Sequence, residues 1–241
     1  MNANRKVRWG ILSTAKIGRE YVIPALQASV SGEVSAIASR DVATARRAAG
    51  QLGIARAWGR YEDLLADEAV DAIYNPLPNH LHVDWSIRAL EAGKHVLCEK
   101  PIGVSAADAQ RLLDAARAHP QLKVMEAFMY RFHPQWRFAR AAVSDGRIGR
   151  LRAIHSVFGY YNDDPDNVRH VPEWGGGGLL DIGCYAISVS RLLFDSEPLR
   201  ALGTLEYDPR FGTDRLCTGL LEFAGGTAAF SCGTQMAPFQ R

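Results

Sequence analysis

The fold of this chain is decided near its beginning, by the stretch VRWGILSTAKIG at residues 7–18. The apolar run at 7–12 predicts a buried strand, and the amphipathic stretch over 17–28 predicts the helix that follows it. In a dinucleotide site, glycines in the intervening loop let the backbone approach a pyrophosphate. Ser13 and Ala15 replace the first two glycines of G-x-G-x-x-G, so the loop by itself is equally compatible with a strand, loop and helix that bind nothing.

The same alternation continues through the first half of the chain. Further strands are predicted over 33–38, 69–74, 95–98 and 123–128, and further helices over 41–52, 61–66, 80–92 and 106–118. Predicted helix caps are Asp41 and Ser105 at the N-termini and Gly32, Gly53 and Gly93 at the C-termini. Apolar strands separated by crossover helices indicate a parallel sheet with helices on both faces, a doubly wound α/β fold of the dinucleotide-binding type.

The pattern changes after about residue 128. A helix is predicted near 136–143, and longer strands over 151–160, 201–207, 216–223 and 227–232. The last two strands are joined by Ala-Gly-Gly, which is typical of a hairpin. Largely antiparallel strands with few helices predict an α+β domain. We therefore expect a Rossmann-type nucleotide-binding domain over 1–127 and an α+β substrate and oligomerisation domain over 128–241.

Composition limits the classes of function. The chain has 241 residues, of which 47% are hydrophobic and 22% charged, as in ordinary soluble globular proteins. The net charge is only +2, which is too small to indicate electrostatic binding to nucleic acid or to a membrane surface. The four cysteines form no C-x-x-C pair and lie in apolar runs, which predicts reduced thiols in the core. Because we see neither a secretory segment nor a membrane span, we expect a cytoplasmic protein.

The second predicted strand ends at Ala38-Ser39-Arg40, where a nucleotide site selects its cofactor. An NAD-selective site usually places a carboxylate there to bind the adenine ribose. This chain has Ser39 and Arg40 instead, with Asp41 one position later. A hydroxyl and a planar guanidinium suit a 2′-phosphate, so these residues favour NADP, with NAD still possible. A capping serine beside a solvated arginine would produce the same pattern.

Two later strands also end in polar motifs, NPLPNHLH at 75–82 and EKP at 99–101. Ligands of open α/β sheets bind outside the carboxyl ends of the strands. We expect Asn79 and His82 to offer polar groups there. Lys100 could hydrogen-bond a reacting hydroxyl and lower the pKa of a neighbouring group, although an exposed ion pair is the alternative. No acidic or cysteine partner lies at ligand spacing from the two histidines, so no metal site is predicted.

A third candidate motif, DIGCY at 181–185, follows a run of four glycines. On a helix, Asp181 and Tyr185 would project from the same face because they are four residues apart. Gly183 between them is consistent with close packing of the backbone. A phenol is a credible general acid or base where a cation stabilises its ionised form. A packed helix with a buried tyrosine is the alternative.

Together these motifs resemble the Gfo/Idh/MocA family of oxidoreductases. The matching segments, in the family's order, are RWGI at 8–11, ASR at 38–40, NPLPNH at 75–80, EKP at 99–101, EAFMYR at 126–131 and GGLLDIG at 177–183. The chain is most similar to the NADP-dependent branch of D-xylose 1-dehydrogenases and trans-1,2-dihydrodiol dehydrogenases. Tyr185 matches the tyrosine of that branch, where inositol- and glucose-type members carry histidine.

The resemblance implies roles for individual residues. Lys100 would lie near the nicotinamide and the reacting carbon, Tyr185 would be the general acid or base, and Asp181 would orient the substrate. The implied cofactor-binding residues are Ser13, Thr14, Ala15, Lys16 and Ile17 at the pyrophosphate, Ser39 and Arg40 at the 2′-phosphate, Leu77, Pro78, Asn79 and His82 at the nicotinamide ribose, and Asn75, Glu99, Lys100, Arg131 and Trp174 elsewhere along the cofactor. The implied substrate-binding residues are Arg169, Asp181 and Tyr185.

The resemblance also carries expectations about length and assembly. Relatives continue beyond the position of Arg241 through further strands, so we expect the second domain to be incomplete at its C-terminal end, or the chain to be an unusually short member. Relatives commonly associate through the open sheet of that domain. A homo-oligomer, dimer or tetramer, is therefore expected through the C-terminal sheet.

These observations lead to one expected activity and two alternatives. We expect hydride transfer between NADP(H) and a CH–OH group of a sugar or sugar-like polyol, with Tyr185 as general acid or base and Lys100 assisting it. The first alternative is a non-catalytic NAD(P)-binding sensor on the same fold, because a fold does not fix a function. The second is a glycosidase-type relative that uses tightly held NAD, which Arg40 disfavours.

Overall fold

The computed structural model describes residues 5–240, which form two compact units. The first unit ends at Ala127 and the second begins at Phe128. Each unit contains its own sheet.

The first unit is built on a parallel sheet of six strands. Its strands are β1 (Val7–Leu12), β2 (Gly32–Ala38), β3 (Arg56–Trp58), β4 (Ala72–Asn75), β5 (His95–Cys98) and β6 (Val124–Glu126). Its helices are α1 (Ile23–Ala28), α2 (Val42–Leu52), α3 (Tyr61–Leu65), α4 (His82–Glu91) and α5 (Ala106–Ala118). All neighbouring strands pair in parallel, in the order β3-β2-β1-β4-β5-β6. The predicted doubly wound fold is therefore confirmed.

Alternate side chains of the central strands fill the two faces of this sheet. On one face, Ile11 packs in a cluster with Tyr74. On the other, Leu12 packs with Ile73 and with Leu90 of α4. All five side chains are fully buried. Because the central strands are covered on both faces, they are apolar nearly throughout, and this is the property that made them recognisable in the sequence.

The helix caps of the first unit agree with prediction except at one glycine. The Asp41 carboxylate accepts the backbone N–H groups of the first turn of α2, and the Ser105 hydroxyl does the same for α5. Gly53 ends α2 with a left-handed φ of 66°. The prediction for Gly32 was wrong: α1 already ends before Ser29, and Gly32 is the first residue of β2.

Strand β3 has no counterpart among the predicted elements. It is only three residues long and half-buried, so it offers neither an apolar run nor an alternating pattern. The partner strand and an ion pair hold it instead. Ala57 pairs with Ile37 of β2, and the Arg56 guanidinium lies 3.2 Å from the Asp67 carboxylate.

The second unit consists of a five-stranded, mostly antiparallel sheet and two helices. Its strands are β7 (Ala153–Tyr161), β8 (Arg200–Tyr207), β9 (Asp214–Phe223), β10 (Gly226–Gly233) and β11 (Gln235–Gln240), and its helices are α6 (Pro134–Ser144) and α7 (Cys184–Phe194). The strand order is β11-β7-β10-β9-β8, with β7 and β10 parallel. The predicted hairpin joins β9 and β10, with Gly226 opposite Phe223, whereas β11 was not predicted.

One segment of this unit, Pro172–Phe194, is long and apolar enough by length and composition to cross a membrane, which differs from our expectation. In the structure, 56% of its most apolar window is buried. Its residues Ile182 and Ala186 belong to the core cluster of the second unit, together with Phe230 of β10. Its apolar character is therefore accounted for by the core of this unit, as for a helix that is buried on most sides.

All four cysteines are free, and three of them are buried. Cys98 lies in the core of the first unit, and Cys217 and Cys232 in that of the second. Burial raises the pKa of the Cys217 thiol. These three cysteines therefore act as small apolar core residues, as expected, whereas Cys184 is half-buried at the start of α7.

Asp71 joins the start of β1 to the residues before β4. Its carboxylate accepts two hydrogen bonds from the Arg8 guanidinium, at 2.7 and 3.0 Å, and a third from the Arg8 backbone N–H at 3.0 Å. The hydrogen bond from the Arg8 side chain holds the pKa of Asp71 well below its usual range. This bidentate pair stabilises the pairing of the two central strands from one end.

We expect Asp71→Asn to lower the free energy of unfolding at pH 7 by about 1–2 kcal/mol. Because the pKa of Asp71 is lower in the folded state, its contribution is present above the unfolded pKa of about 3.9 and is lost as pH falls below that value. Urea unfolding of both proteins between pH 7 and pH 3 measures this. A difference between them that stays constant across the range would contradict the assignment.

Candidate active site

The loop after β1 provides the first part of the candidate site. Ser13, at the first glycine position of the fingerprint, has a left-handed φ of 75°, and its hydroxyl accepts the Ala15 N–H at 3.2 Å. Gly18 opens a π-helical turn, Gly18–Val22, that leads into α1. A Cβ at Gly18 would lie 3.4 Å from the buried Tyr74 ring. Ser13 therefore adopts the backbone conformation for which glycine is usually required.

The end of β2 provides the second part. Ser39 is half-buried and Arg40 is exposed. Asp41 is committed to capping α2, since its carboxylate accepts the N–H of Ala43 at 3.3 Å and of Thr44 at 2.8 Å. The hydrogen bonds from Thr44 lower the pKa of Asp41. The nearest carboxylate is therefore engaged within the helix, while the Arg40 guanidinium faces solvent.

Asn75 and His82 are both buried and support the loops from within. The Asn75 amide donates to the His82 carbonyl at 3.1 Å and accepts the Leu77 N–H at 3.3 Å. The two ring nitrogens of His82 lie 2.7 Å from the carbonyls of Leu77 and Pro101. Burial lowers the pKa of His82. His82 thus connects the motif after β4 with the motif after β5, a supporting position that sequence reasoning did not anticipate.

The EKP motif lies immediately after β5 and is anchored at both ends. Glu99 accepts a 2.7 Å hydrogen bond from the phenol of Tyr74, and its N–H donates to the Asn75 carbonyl at 3.0 Å. Lys100 is half-buried, and the Lys100–Pro101 peptide bond is cis. Tyr74 therefore supports this motif, although its sequence context is that of an ordinary apolar strand residue.

In the second unit, the glycine run is shaped by the Asp214 carboxylate. This carboxylate accepts the Leu179 N–H at 2.7 Å. Gly177 has φ of 111°, and a Cβ there would collide with the Asp214 carboxylate. A Cβ at Gly176 would collide with the Arg169 carbonyl. Glycine is therefore required at both positions, and the run brings the Arg169 segment close to the Asp181 turn.

Asp181 is the centre of the site in the second unit. It is buried in the π-helical turn Leu179–Gly183, and one of its carboxylate oxygens accepts a 2.5 Å hydrogen bond from Tyr160. The Arg169 Nε lies 2.8 Å from the same oxygen as an ion pair, although its N–H is not aligned for a hydrogen bond. Although burial disfavours the cation, the Asp181 charge raises the pKa of Arg169. Burial and the same charge raise the pKa of Tyr160.

Tyr185 is half-buried at the start of α7, one turn after Asp181. Its ring contacts Phe128 edge-to-face at 5.3 Å and lies 5.9 Å from Phe158 and 6.1 Å from Tyr130, measured between ring centroids. Asp181 lies in a π-helical turn and Tyr185 in the α-helix that follows it, so the shared face predicted for two residues of one helix does not apply directly, and Gly183 packs closely against Cys232 of β10.

Several other predicted site residues are distributed over both units. Lys100 belongs to the first unit, whereas Asp181 and Tyr185 belong to the second. Trp174 ends a 3-10 turn, Pro172–Trp174, and is 40% exposed. Arg131 is exposed on the turn Met129–Phe132. Within residues 5–240, no three His, Cys, Asp or Glu side chains are grouped as a metal site.

Sequence reasoning missed Tyr160, although it is the hydrogen-bond donor to Asp181. The available signal was weak: two consecutive tyrosines end β7, and alternation along a strand directs only one of them inward. Tyr160 is half-buried, whereas Tyr161 is 61% exposed and reaches only the Asp163 carboxylate at 3.4 Å.

The family comparison matches both units. The GFO/IDH/MocA oxidoreductase family with its NAD-binding Rossmann fold matches residues 7–128, and the GFO/IDH/MocA C-terminal domain matches residues 136–241. The chain belongs to this family. The predicted resemblance is thereby confirmed, as is the prediction of an enzyme of the oxidoreductase class.

Individual relatives agree with this assignment. The chain is 47% identical to an uncharacterized oxidoreductase of Rhizobium meliloti, over 96% of this chain and 69% of the relative. It is 44% identical to an NADP-dependent D-xylose 1-dehydrogenase of Haloferax volcanii, over 92% of this chain and 67% of the relative. It is 34% identical to a trans-1,2-dihydrobenzene-1,2-diol dehydrogenase of Xenopus tropicalis, over 95% of this chain and 69% of the relative.

Solved structures show the same fold. A 3-ketoreductase from Actinomadura kijaniata in complex with NADP and TDP-benzene superimposes with a TM-score of 0.89 at 35% identity, covering 97% of this chain and 71% of that one. An aldose–aldose oxidoreductase from Caulobacter crescentus, in complex with glycerol, gives a TM-score of 0.90 at 28% identity over 96% of this chain and 72% of that one.

We expect Tyr160→Phe to lower the free energy of unfolding by about 1–2 kcal/mol, because Asp181 loses a charge-assisted hydrogen bond while remaining buried. Tyr161→Phe is the matched control, since it removes the same hydroxyl from the neighbouring exposed tyrosine and should change stability by less than about 0.5 kcal/mol. Equal losses in urea unfolding would show that the Tyr160 hydroxyl is not the group that supports Asp181.

Proposed function

We propose that this chain is an NADP(H)-dependent oxidoreductase that transfers a hydride to or from a CH–OH carbon of a sugar or sugar-like polyol. The observation that carries the proposal is the fixed Asp181 carboxylate, held by Tyr160 and Arg169 one turn before Tyr185. This arrangement is embedded in a chain whose relatives include a D-xylose dehydrogenase and a 3-ketoreductase. Both of those proteins are named for the interconversion of alcohol and carbonyl groups.

NADP is the proposed cofactor, and the described residues fit it. Arg40 and Ser39 would hold the 2′-phosphate, because the guanidinium is exposed and the adjacent Asp41 carboxylate is engaged in its helix cap. The proposed pyrophosphate loop is Ser13, Thr14, Ala15, Lys16 and Ile17. The other residues proposed for the cofactor site, by direct contact or by support of the loops, are Asn75, Leu77, Pro78, Asn79, His82, Glu99, Lys100, Arg131 and Trp174. When bound, this cofactor supplies or accepts the hydride.

Among these residues, Asn75 and His82 can act only indirectly. Both side chains are fully buried. Asn75 hydrogen-bonds the His82 carbonyl, the Ser86 hydroxyl and the Leu77 N–H, and the His82 ring nitrogens lie 2.7 Å from the carbonyls of Leu77 and Pro101. In the proposal they keep Leu77 and Pro78 on one loop and Lys100 on the other at fixed positions, so that the nicotinamide ribose meets a rigid surface.

Proton transfer is assigned to Tyr185. Its phenol would accept the proton of the alcohol during oxidation or donate one to the carbonyl oxygen during reduction. Because a free phenol has a pKa of about 10, a cation has to stabilise the phenolate near neutral pH. Lys100 is the proposed source of that charge. Asp181, fixed by Tyr160 and Arg169, would accept a hydrogen bond from a substrate hydroxyl and orient the reacting carbon.

We further propose that the chain acts in the cytoplasm, without nucleic-acid or membrane partners. We also propose that it forms a homo-oligomer through the outer face of the second sheet. On that face, Leu202 of β8 lies opposite Leu220 of β9, which in turn lies opposite Ala229 of β10. Leu202 is 75% exposed and Leu220 is 42% exposed. A continuous row of exposed apolar side chains is typical of a protein interface.

We expect Tyr185→Phe to reduce kcat by about 100-fold or more while cofactor binding is retained, because only the proton-transferring hydroxyl is removed. Turnover with NADP is measured on a panel of aldoses and dihydrodiols, and cofactor binding by tryptophan fluorescence. Tyr161→Phe is the matched control. Turnover of Tyr185→Phe near that of the parent would contradict the role. Cofactor binding without turnover of any panel member would favour the sensor instead.

We expect Arg40→Ala to weaken NADP binding by about tenfold or more and to leave NAD binding nearly unchanged, since only NADP carries the 2′-phosphate. Arg46→Ala, which alters an exposed arginine of the neighbouring helix α2, serves as the control. Both affinities are measured by fluorescence titration. Tighter binding of NAD than of NADP by the unaltered protein would overturn the cofactor assignment.

A further inference from the structure

The second unit contains a basic concavity that shares only Arg131 with the residues proposed for the cofactor site. Its volume is about 330 Å³, within the range of small-ligand sites. It is lined by Arg131, Phe132, Trp136, Arg137, Arg140 and Leu192. Its three arginines are exposed, and a bound anion would compensate their like charges.

The arginines converge for local structural reasons. Arg137 and Arg140 are three residues apart on α6 and therefore lie on one face of that helix. Arg131 lies on the turn Met129–Phe132 that precedes α6. The cluster is thus created by a turn and a helix that follow each other directly, and its geometry is fixed within the second unit.

Within residues 5–240, carboxylates neutralise only part of this cluster. Arg140 lies 3.6 Å from Asp195, whose side chain is 86% exposed. Across residues 5–240, no carboxylate forms an ion pair with Arg131 or Arg137. Nearby Arg191 is already paired with Glu197. The concavity therefore carries excess positive charge that an anionic ligand would compensate.

Apolar groups complete the walls. Trp136 is half-buried and packs edge-to-face on Tyr130, with 5.5 Å between ring centroids. Leu192 of α7 is 8% exposed and contributes a buried aliphatic surface. These groups give the exposed arginines an apolar wall on one side, and planar guanidinium groups match the oxygens of phosphate.

From this geometry we propose that the concavity binds the phosphate group of a small phosphorylated molecule. Its lining includes neither of the residues proposed for the 2′-phosphate, Ser39 and Arg40. Leu192 also lies about two helical turns beyond Tyr185 on α7. The site therefore adds an anion-recognition function that the hydride-transfer proposal does not require.

The experiment uses inorganic phosphate and pyrophosphate as probes, titrated calorimetrically into the full chain in the presence of saturating NADP. We expect saturable binding that weakens as NaCl is raised. The double variant Arg137→Gln/Arg140→Gln should bind about tenfold more weakly or worse, because charge-assisted hydrogen bonds are lost. Arg46→Gln/Arg150→Gln, which removes two exposed arginines elsewhere, should bind as the parent does.

Three outcomes would overturn the proposal: no saturable binding of either probe, equal binding by the double variant and the parent, or loss of binding in Arg40→Ala but not in the double variant. The last outcome would assign the binding to the cofactor site. If the double variant unfolds, as judged by circular dichroism, the single variant Arg137→Gln replaces it. Because the experiment measures binding, its result does not depend on catalytic turnover. Failure of the hydride-transfer proposal would therefore be distinguishable from failure of the phosphate-site proposal.

Discussion

Parallel pairing of β1 with β2 on one side and with β4 on the other is the constraint on which the candidate cofactor loops of the first unit depend. Parallel strands bring their carboxyl ends to the same edge of a sheet. The loops that begin at Ser13, Ser39, Pro76 and Glu99 therefore share one edge. Burial of Ile11, Ile73 and their neighbours on both faces fixes the positions of the strands. The loops therefore begin from fixed strand ends.

The loops themselves are held by a small number of buried polar contacts. The two ring nitrogens of His82 lie 2.7 Å from two backbone carbonyls, Asn75 hydrogen-bonds three groups, and Tyr74 donates a hydrogen bond to Glu99. Buried polar groups are costly unless they are satisfied, so these contacts favour one loop arrangement over its alternatives. The second unit uses the same strategy, because Tyr160 and Arg169 together satisfy the buried Asp181 carboxylate.

Prediction from sequence succeeded where a local physical signal exists. The central strands were recognisable because burial on both faces makes them apolar, and the caps at Asp41 and Ser105 because their side chains bond to the next turn of the chain. Strand β3 was missed because pairing with β2, rather than its own composition, makes it a strand. The Gly32 error has the same origin, since a glycine is as suitable at the start of a strand as after a helix.

The sequence by itself determined the doubly wound sheet, the antiparallel character of most of the second sheet, the family, and the candidate residues Lys100, Asp181 and Tyr185. These properties follow from periodicity, from caps and from motifs of adjacent residues. Only the tertiary structure decided that Tyr160 rather than Tyr161 bonds to Asp181, that His82 is a buried support, and that Arg131 joins Arg137 and Arg140 around one concavity. Such assignments depend on which side chains are brought together by strand pairing and helix packing. The local sequence pattern around each residue does not predict these contacts.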